Sequence, residues 1–348
     1  GKNREAQAVR NANCTCWNLC QKKGWYGMSN HNGDCSNIGT KRNENRKRNT
    51  LRFQRKSDTD VSLFFIFIYK VFHSCYSFNI SAIGGQGERY MNISFDAVYY
   101  EPSVLSYPLG QQLKEKYANL PWQEIESHNH IQQFRNAQNH EFPRLKRNLI
   151  IGTRKTHKYT ENHKVSDFLV PYTSSGCSAM CLYCYLVCNY NKCSYLRVFV
   201  NREQMMEKLI RTANQSEKSL TFEIGSNSDL ILENVVTENL LWTIEQFAAN
   251  AKGKLTFPTK FDMISPLLSL NHQQKVIFRM SLNPETIIRK VELGTSRLNQ
   301  RIMALNAMCD AGYPVGILLA PVIFVPQWKT LYAELISHLA DTLNSKVK

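Results

Sequence analysis

The stretch that decides the fold covers residues 254–282 and reads KLTFPTKFDMISPLLSLNHQQKVIFRMSL. Two apolar strands, predicted over 254–259 and 275–282, flank a segment that suits a helix over 263–270. The same alternation of strand and helix is found five times from residue 167 onward. The other predicted strands cover 167–174, 219–225 and 314–320, and the other predicted helices cover 201–215, 234–250, 297–311 and 328–343. This repetition of βαβ units is typical of an α/β protein with a parallel sheet or barrel.

The segments before this repeat differ in character. Residues 95–166 contain two short strand candidates, 97–100 and 148–152, around an amphipathic stretch at 110–119. Residues 1–60 are rich in Asn, Lys and Arg and show no sustained period. The run Gly87 to Met91 has the form of a translated ribosome-binding site and start codon. We therefore expect a disordered or spuriously translated extension over 1–90, an N-terminal α/β region over 91–166 and a barrel over 167–348.

Composition and charge narrow the functional classes. The chain is 43% hydrophobic, which favours a globular protein, and it holds 43 Lys and Arg against 28 Asp and Glu. That positive excess suits a partner with phosphates, such as nucleic acid. The longest apolar run, residues 61–72, is shorter than the roughly 20 residues that a membrane-spanning helix needs. With no secretory signal at its start, the sequence predicts a cytoplasmic protein without a membrane partner.

Three cysteines follow the first strand of the repeat. Cys177, Cys181 and Cys184 have the spacing C-x3-C-x2-C, which places three soft thiolate ligands on one loop. Three ligands for a four-iron, four-sulfur (4Fe-4S) cluster leave one iron without a protein ligand. That iron can bind the amino and carboxylate groups of S-adenosyl-L-methionine (AdoMet) and deliver an electron to its sulfonium. The alternative is a structural zinc site with Cys188 as the fourth ligand.

The residues around these cysteines resemble a known family. The loop from Ser175 to Leu186 and the run from Leu196 to Asn201 are similar to the spore photoproduct lyase family of radical AdoMet enzymes. Further matches extend from residue 95 to residue 343. They are Tyr100-Glu101-Pro102, Arg154-Lys155-Thr156, Phe222-Glu223, Ser228-Asp229, Phe257-Pro258-Thr259-Lys260-Phe261, Met280-Ser281-Leu282-Asn283, Glu292-Leu293-Gly294-Thr295-Ser296, Ala311-Gly312-Tyr313 and Ala320-Pro321-Val322.

The resemblance implies a fold and a set of cofactor residues. The family uses a partial (β/α)6 barrel, of which five β/α units are visible here, so we expect a chain truncated after the fifth unit. In such barrels the chemistry takes place at the carboxyl ends of the strands. The resemblance implies that the positively charged side chain of Lys260 binds the AdoMet carboxylate. The full set of residues that the resemblance implies for AdoMet is Tyr183, Ser228, Lys260, Ser281, Asn283 and Ala320.

The implied substrate is spore photoproduct, 5-thyminyl-5,6-dihydrothymine, in DNA. A 5′-deoxyadenosyl radical takes a hydrogen from C6 of the saturated thymine, the bridging carbon–carbon bond breaks, and a thymine methyl radical is left that needs a hydrogen atom. The lesion has to leave the base stack to reach the barrel. Arg154, Lys155, Lys158 and Lys192 are candidate phosphate contacts.

The hydrogen donor is where this sequence departs from the family. Ser226 stands at the place of a family cysteine, and its O–H bond is too strong for easy donation to a carbon radical. Tyr183 and Tyr185 match family tyrosines that are linked to radical transfer. We expect Tyr185 to donate, with Cys188 or Cys193 as thiol partners.

Three functions remain open from the sequence. The first is a DNA-repair lyase, which needs DNA with thymine photolesions and a one-electron reductant such as flavodoxin or ferredoxin. The second is a radical AdoMet enzyme that acts on another substrate. The third is a zinc-stabilised nucleic-acid-binding module.

Overall fold

The computed structural model of the 348-residue chain describes residues 93–186 and 194–347. The extension predicted over 1–90 and the start predicted at Met91 lie outside the described residues. So do Cys188, Lys192 and Cys193. Among the described residues, no helix combines the length and the hydropathy that a membrane span requires. The cytoplasmic location stays a prediction.

The described residues form a mixed α/β fold. Its strands are β1 (Ala97–Tyr100), β2 (Trp122–Glu124), β3 (Asn148–Gly152), β4 (Thr160–Glu161), β5 (Phe168–Val170), β6 (Ser174–Ser175), β7 (Met180–Cys181), β8 (Arg197–Phe199), β9 (Thr221–Ile224), β10 (Lys254–Thr259), β11 (Val276–Ser281), β12 (Glu292–Leu293) and β13 (Val315–Leu318). Its helices are α1 (Pro108–Lys116), α2 (Phe142–Leu145), α3 (Arg202–Gln215), α4 (Leu230–Thr237), α5 (Asn239–Asn250), α6 (Glu285–Val291), α7 (Leu298–Asp310) and α8 (Trp328–Thr342).

The first sheet has five strands in the order β2-β1-β3-β8-β6. All neighbours are parallel except β6, which pairs antiparallel with β8. Every residue of the central strand β3 is buried, as expected for a parallel strand that is covered on both faces. The strands predicted over 97–100 and 148–152 are confirmed with those bounds.

The second sheet has six strands in the order β13-β11-β10-β9-β5-β4. Five of them are parallel, and β4 runs antiparallel at the edge. Phe257 on β10 lies opposite Phe278 on β11, and both are fully buried beneath helices such as α5, which contributes Phe247. This sheet carries the strand and helix repeat that the sequence predicts. Strands from both sides of residue 166 join each sheet, since β6 and β8 belong to the first and β4 to the second.

Three local predictions differ from the structure. The helix predicted over 263–270 is wrong: only a 3-10 turn, Ser265–Leu267, is found there, with Pro266 near its start. The helix predicted over 234–250 is broken, because Glu238 adopts a left-handed conformation with φ of 57° between α4 and α5. The strand predicted over 167–174 ends at Val170, and the polar residues beyond it turn away to the first sheet.

Candidate active site

The cysteine loop begins at a position that only glycine can occupy. Gly176 follows β6 with φ of +79°, and a Cβ added there would lie 1.9 Å from the carbonyl oxygen of Tyr195. Its N–H donates to the carbonyl of Asn227 at 2.8 Å, and Gly176 also forms a β-bridge with Ser228. These contacts tie the start of the cysteine loop to the segment after β9. Side chains from that segment are therefore held next to the cysteines.

The middle of the loop is fixed by a second pairing. Strand β7 pairs antiparallel with β12, so that Cys181 lies opposite Glu292. The N–H of Leu182 donates to the carbonyl of Val291 at 2.9 Å. Cys184 follows one turn later and donates its N–H to the carbonyl of Cys181. The loop that carries the three thiols is therefore held at its start and in its middle by backbone hydrogen bonds.

The three thiols suit a soft metal centre. Cys177, Cys181 and Cys184 are free and partly buried. Burial raises the pKa of the Cys177 thiol to about 12, partly offset by Lys146, and burial raises the pKa of Cys181 to about 11, partly offset by Lys260. A thiol in such a site loses its proton when a metal replaces it. The donor set therefore fits an iron–sulfur cluster.

A closed zinc site is a different arrangement. The ranges 93–186 and 194–347 contain no group of three or more His, Cys, Asp or Glu side chains placed to hold a metal ion. In a polynuclear cluster each cysteine binds a different iron, so the thiols need not meet at one point. The fourth zinc ligand of the alternative, Cys188, lies outside the described residues.

The AdoMet candidates lie at the carboxyl ends of the second sheet. Lys260 follows β10, and its Nζ lies 5.8 Å from the ring centre of Tyr183. Ser281 ends β11 and donates through Oγ to the carbonyl of Ala320 at 3.3 Å. Ser228, beyond β9, contacts Ser174 through their hydroxyl groups, with 2.5 Å between the two oxygens. The structure thus brings the candidates to one edge, in small groups beside the cysteine loop.

Glu292 joins several of these groups, although the sequence analysis assigns it no role of its own. Its carboxylate accepts hydrogen bonds from the hydroxyl of Tyr183 and, at 2.9 Å, from the amide of Asn283. It also forms a 2.7 Å ion pair with Arg301, and both side chains are fully buried. Burial alone would raise the pKa of Glu292, but Arg301 and Lys260 hold that pKa below its ordinary value. The carboxylate therefore stays ionised.

The network extends from Glu292 to the loop after β13. The hydroxyl of Tyr332, on α8, donates to Oδ1 of Asn283 at 2.5 Å and accepts the N–H of Ile323 at 2.9 Å. At the other end of the network, the hydroxyl of Tyr183 donates to Glu292. Burial and the charge of Glu292 raise the pKa of Tyr183 far above its ordinary value. This chain of hydrogen bonds links the cysteine loop to the ends of β11 and β13.

Asp229 performs a similar task on the other side of Lys260. It caps the start of α4, where its carboxylate accepts from the N–H groups of Ile231 and Leu232. The same carboxylate accepts from the hydroxyl of Thr259 and the N–H of Lys260, so it joins the ends of β9 and β10. Burial raises the pKa of Asp229 despite these hydrogen bonds. The pattern Ser228-Asp229 before an apolar run is a helix-cap signal that the sequence already contained.

The two candidate radical-transfer tyrosines have different surroundings. Tyr185 is 53% exposed, and its hydroxyl donates to the carbonyl of Ser226. Tyr183 instead points its hydroxyl at Glu292. Tyr185 and Ser226, which the sequence placed 41 residues apart, are therefore neighbours at the mouth of the site.

The candidate phosphate contacts also separate into two kinds. The guanidinium of Arg154 donates to the carbonyls of Tyr172 and Ser174 and stacks on Phe199 at 4.0 Å from the ring centre. Arg154 is therefore part of the scaffold between the two sheets. Lys155 and Lys158 are exposed and free to meet solvent or a ligand.

Comparisons with known proteins identify the family. The spore photoproduct lyase family model matches residues 93–348. The spore photoproduct lyase of Bacillus subtilis is 35% identical over 263 residues, which cover 72% of this chain and 74% of that protein. The chain belongs to the spore photoproduct lyase family. The corresponding enzyme of a Geobacillus species is 32% identical over 258 residues, covering 71% of this chain and 73% of that protein.

Solved structures of spore photoproduct lyase share this fold. One, complexed with dinucleoside spore photoproduct, has a TM-score of 0.69 at 31% identity and covers 73% of this chain and 76% of its own. A mutant with bound AdoMet and dinucleoside spore photoproduct has a TM-score of 0.69 at 30% identity, with the same two coverages. The resemblance that the sequence motifs indicated is confirmed, and membership of the family does not favour the zinc-module alternative.

Proposed function

We propose that this chain is a DNA-repair lyase that converts spore photoproduct back to two thymines with AdoMet and a 4Fe-4S cluster. The observation that carries the proposal is the position of the cysteine loop. Its strand β7 is paired with β12, beside Lys260 and Tyr183 at the carboxyl edge of the parallel sheet. Family membership supports the same activity. The five parallel strands of this sheet would form the family's partial barrel.

In this proposal Cys177, Cys181 and Cys184 hold the cluster. When bound, the cluster supplies the electron that divides AdoMet into methionine and a 5′-deoxyadenosyl radical. The thiols must lose their protons as the cluster is loaded, which their apolar surroundings oppose until iron is present. The electron itself comes from an external carrier such as flavodoxin or ferredoxin.

Lys260 would bind the carboxylate of AdoMet. In the part of the chain that the structure describes, no carboxylate lies within ion-pair distance of its ammonium group. The nearby Glu292 is already neutralised by Arg301. The ammonium group of Lys260 is thus a cation at the edge of the sheet with no carboxylate partner among the described residues. A hydrogen bond between an ammonium group and a carboxylate is among the stronger ones in proteins. Tyr183, Ser228, Ser281, Asn283 and Ala320 would complete the AdoMet site.

Tyr185 would return the hydrogen atom to the thymine methyl radical. The phenolic O–H bond breaks, a C–H bond forms on the thymine, and a phenoxyl radical remains on Tyr185. Cys188 or Cys193 would act as its thiol partner. Tyr185 is exposed, and its hydroxyl donates to the carbonyl of Ser226. This contact supports the assignment, because Ser226 is the residue that matches the family's cysteine. Ser226 would position the phenol without donating.

The lesion would enter from DNA, with exposed Lys155 and Lys158 near its phosphates. A DNA partner also agrees with the positive charge of the chain. The half-buried Arg154 is omitted from this contact set because its guanidinium donates to carbonyls within the protein.

The test is an anaerobic assay on dinucleoside spore photoproduct. The loaded chain is mixed with AdoMet and dithionite, and formation of thymidine from the dinucleoside is followed by chromatography. We expect repair that depends on both AdoMet and reductant, and none with Cys181→Ala. A loaded chain that releases 5′-deoxyadenosine but leaves the lesion intact would contradict the proposal. That result would favour the second candidate, a family relative with another substrate, for which Ser226 is the supporting feature.

A further inference from the structure

Lys146 is a buried lysine that faces the cysteine loop. It follows α2 in the N-terminal region, and it is only 6% exposed. Its Nζ donates to the carbonyl oxygens of Ala179 at 2.7 Å, Cys177 at 2.8 Å and Ser194 at 3.3 Å. An ammonium group has three N–H donors, so its hydrogen bonds are complete.

The hydrogen bonds of Lys146 are complete, but its positive charge is a separate matter. Among the described residues, no carboxylate lies within ion-pair distance of its ammonium group. Two other buried cations are arranged differently, since Arg301 pairs with Glu292 at 2.7 Å and Arg279 pairs with Glu223 at 3.1 Å. Burying an ion without an opposite charge is costly. An anionic group that belongs beside Lys146 would remove that cost.

The cysteine loop is the place for such an anion. Lys146 contacts the backbone of Cys177 directly, and its charge acts on the Cys177 sulfur. Three thiolates around a four-iron core form a centre with net negative charge, and reduction by one electron adds another negative charge. A fixed cation next to the centre stabilises both states and stabilises the reduced state more.

We propose that Lys146 is the counter-ion of the cluster and raises its reduction potential. The inference rests on the cluster of the proposed function and adds a residue that neither the sequence motif nor the family comparison assigns. Through its three carbonyl contacts, Lys146 also holds the loop between Cys177 and Ala179 against the N-terminal region. The charge and the hydrogen bonds are separable by substitution, because glutamine keeps a donor without the charge and arginine keeps the charge.

The experiment compares Lys146→Gln, Lys146→Arg and a matched control, Lys252→Gln, which removes one charge at an exposed position. Each full-length chain is loaded anaerobically, its iron and sulfide are counted, and its cluster is titrated with a reductant under electron paramagnetic resonance. For Lys146→Gln we expect the ratio of reduced to oxidised cluster at a fixed potential to fall at least tenfold, which is 59 mV for a one-electron couple. Lys146→Arg and Lys252→Gln should stay within about threefold of the wild type.

Each remaining outcome decides the matter. A loaded Lys146→Gln chain whose ratio falls less than tenfold overturns the proposal. If Lys146→Gln holds no cluster, loading becomes the readout: normal loading of Lys146→Arg supports the counter-ion, whereas equal loss in both variants overturns it in favour of loop geometry. A wild-type chain that binds no iron and sulfide overturns the proposed function as well, so the two failures are distinguishable.

Discussion

Both large sheets of this protein have a buried carboxylate near the carboxyl ends of their parallel strands, but the charges around the two carboxylates are arranged differently. Glu101, after β1 of the first sheet, lies 2.7 Å from Nδ1 of His128 and also accepts the N–H groups of His128 and Thr153. Glu292, beside the second sheet, is paired with Arg301 and lies near a second cation, Lys260.

The difference shows how a scaffold and a site can be distinguished. In the first sheet, the buried carboxylate of Glu101 is matched by one imidazole, that of His128. Around the cysteine loop, the pairing of Glu292 with Arg301 leaves the ammonium groups of Lys260 and Lys146 without a carboxylate partner among the described residues. We infer that these two ammonium groups stabilise the anionic groups of the bound cofactors.

The largest expected effect is the loss of the cluster. Cys181→Ala removes one of three thiolate ligands from a loop that has no spare cysteine among the described residues, so iron and sulfide should fall to background. Cys309→Ala is the matched control, because Cys309 is a free, buried cysteine on α7. Iron and sulfide are measured after anaerobic loading. Equal loss in both variants, or full loading of Cys181→Ala, would contradict the ligand assignment.

The next effect concerns the stability of the charged network. Arg301→Met leaves the buried carboxylate of Glu292 without its partner, which should lower the free energy of unfolding by about 3–5 kcal/mol. The control is Arg297→Met, which breaks an exposed pair with Glu285 and should cost at most about 1 kcal/mol. Urea unfolding of each chain gives the two values. Equal losses in the two variants would show that the buried pair of Glu292 and Arg301 stabilises the fold no more than an exposed pair does.

The first sheet should respond to acid through Glu101. Burial would raise the pKa of this carboxyl, but the hydrogen bonds and charge of His128 outweigh burial and lower the pKa to about 2. A lowered pKa stabilises the fold above the unfolded value of 4.5, and that stability is lost as the pH falls toward 2. The contribution is about 3 kcal/mol at 1.36 kcal/mol per pKa unit.

The corresponding variant is Glu101→Gln, with the exposed Glu115→Gln as its control. The free energy of unfolding is measured between pH 6 and pH 3. We expect Glu101→Gln to be less stable than the wild type at pH 6 and to approach it at pH 3. Parallel curves for the wild type and Glu101→Gln would show that Glu101 is not held ionised.

The smallest of these effects is on cofactor affinity. Lys260→Met removes the cation proposed for the AdoMet carboxylate, which should weaken AdoMet binding by about 2 kcal/mol, or about 30-fold. Lys254→Met is a matched control, since Lys254 is exposed at the other end of the same strand, β10. Equilibrium dialysis of loaded chains without reductant gives both dissociation constants. Unchanged affinity in Lys260→Met would remove this residue from the site.

Local patterns made part of this structure predictable from the sequence. The alternation of apolar residues predicts β10 with its observed bounds, and the spacing of the three cysteines predicts a shared loop. The helix predicted over 263–270 failed: only the single turn Ser265–Leu267 forms there, and Pro266 within it has no N–H to donate to a helical hydrogen bond.

The buried charges could not be predicted in this way. Lys146 contacts a residue 31 positions away, and the Tyr183 hydroxyl contacts Glu292 across 109 positions. A lysine or glutamate in a polar stretch has the same appearance in sequence whether it faces solvent or an interior loop. Only the packing of the two sheets and of β7 against β12 brings these groups together.

The central claim is that three thiols on one loop hold a cluster that cleaves AdoMet. The direct measurement is the amount of 5′-deoxyadenosine released by the anaerobically loaded chain after it receives AdoMet and dithionite. We predict release in proportion to the loaded cluster, and none from Cys181→Ala. A chain that carries full iron and sulfide, binds AdoMet and is reduced, yet releases no 5′-deoxyadenosine, would contradict the claim.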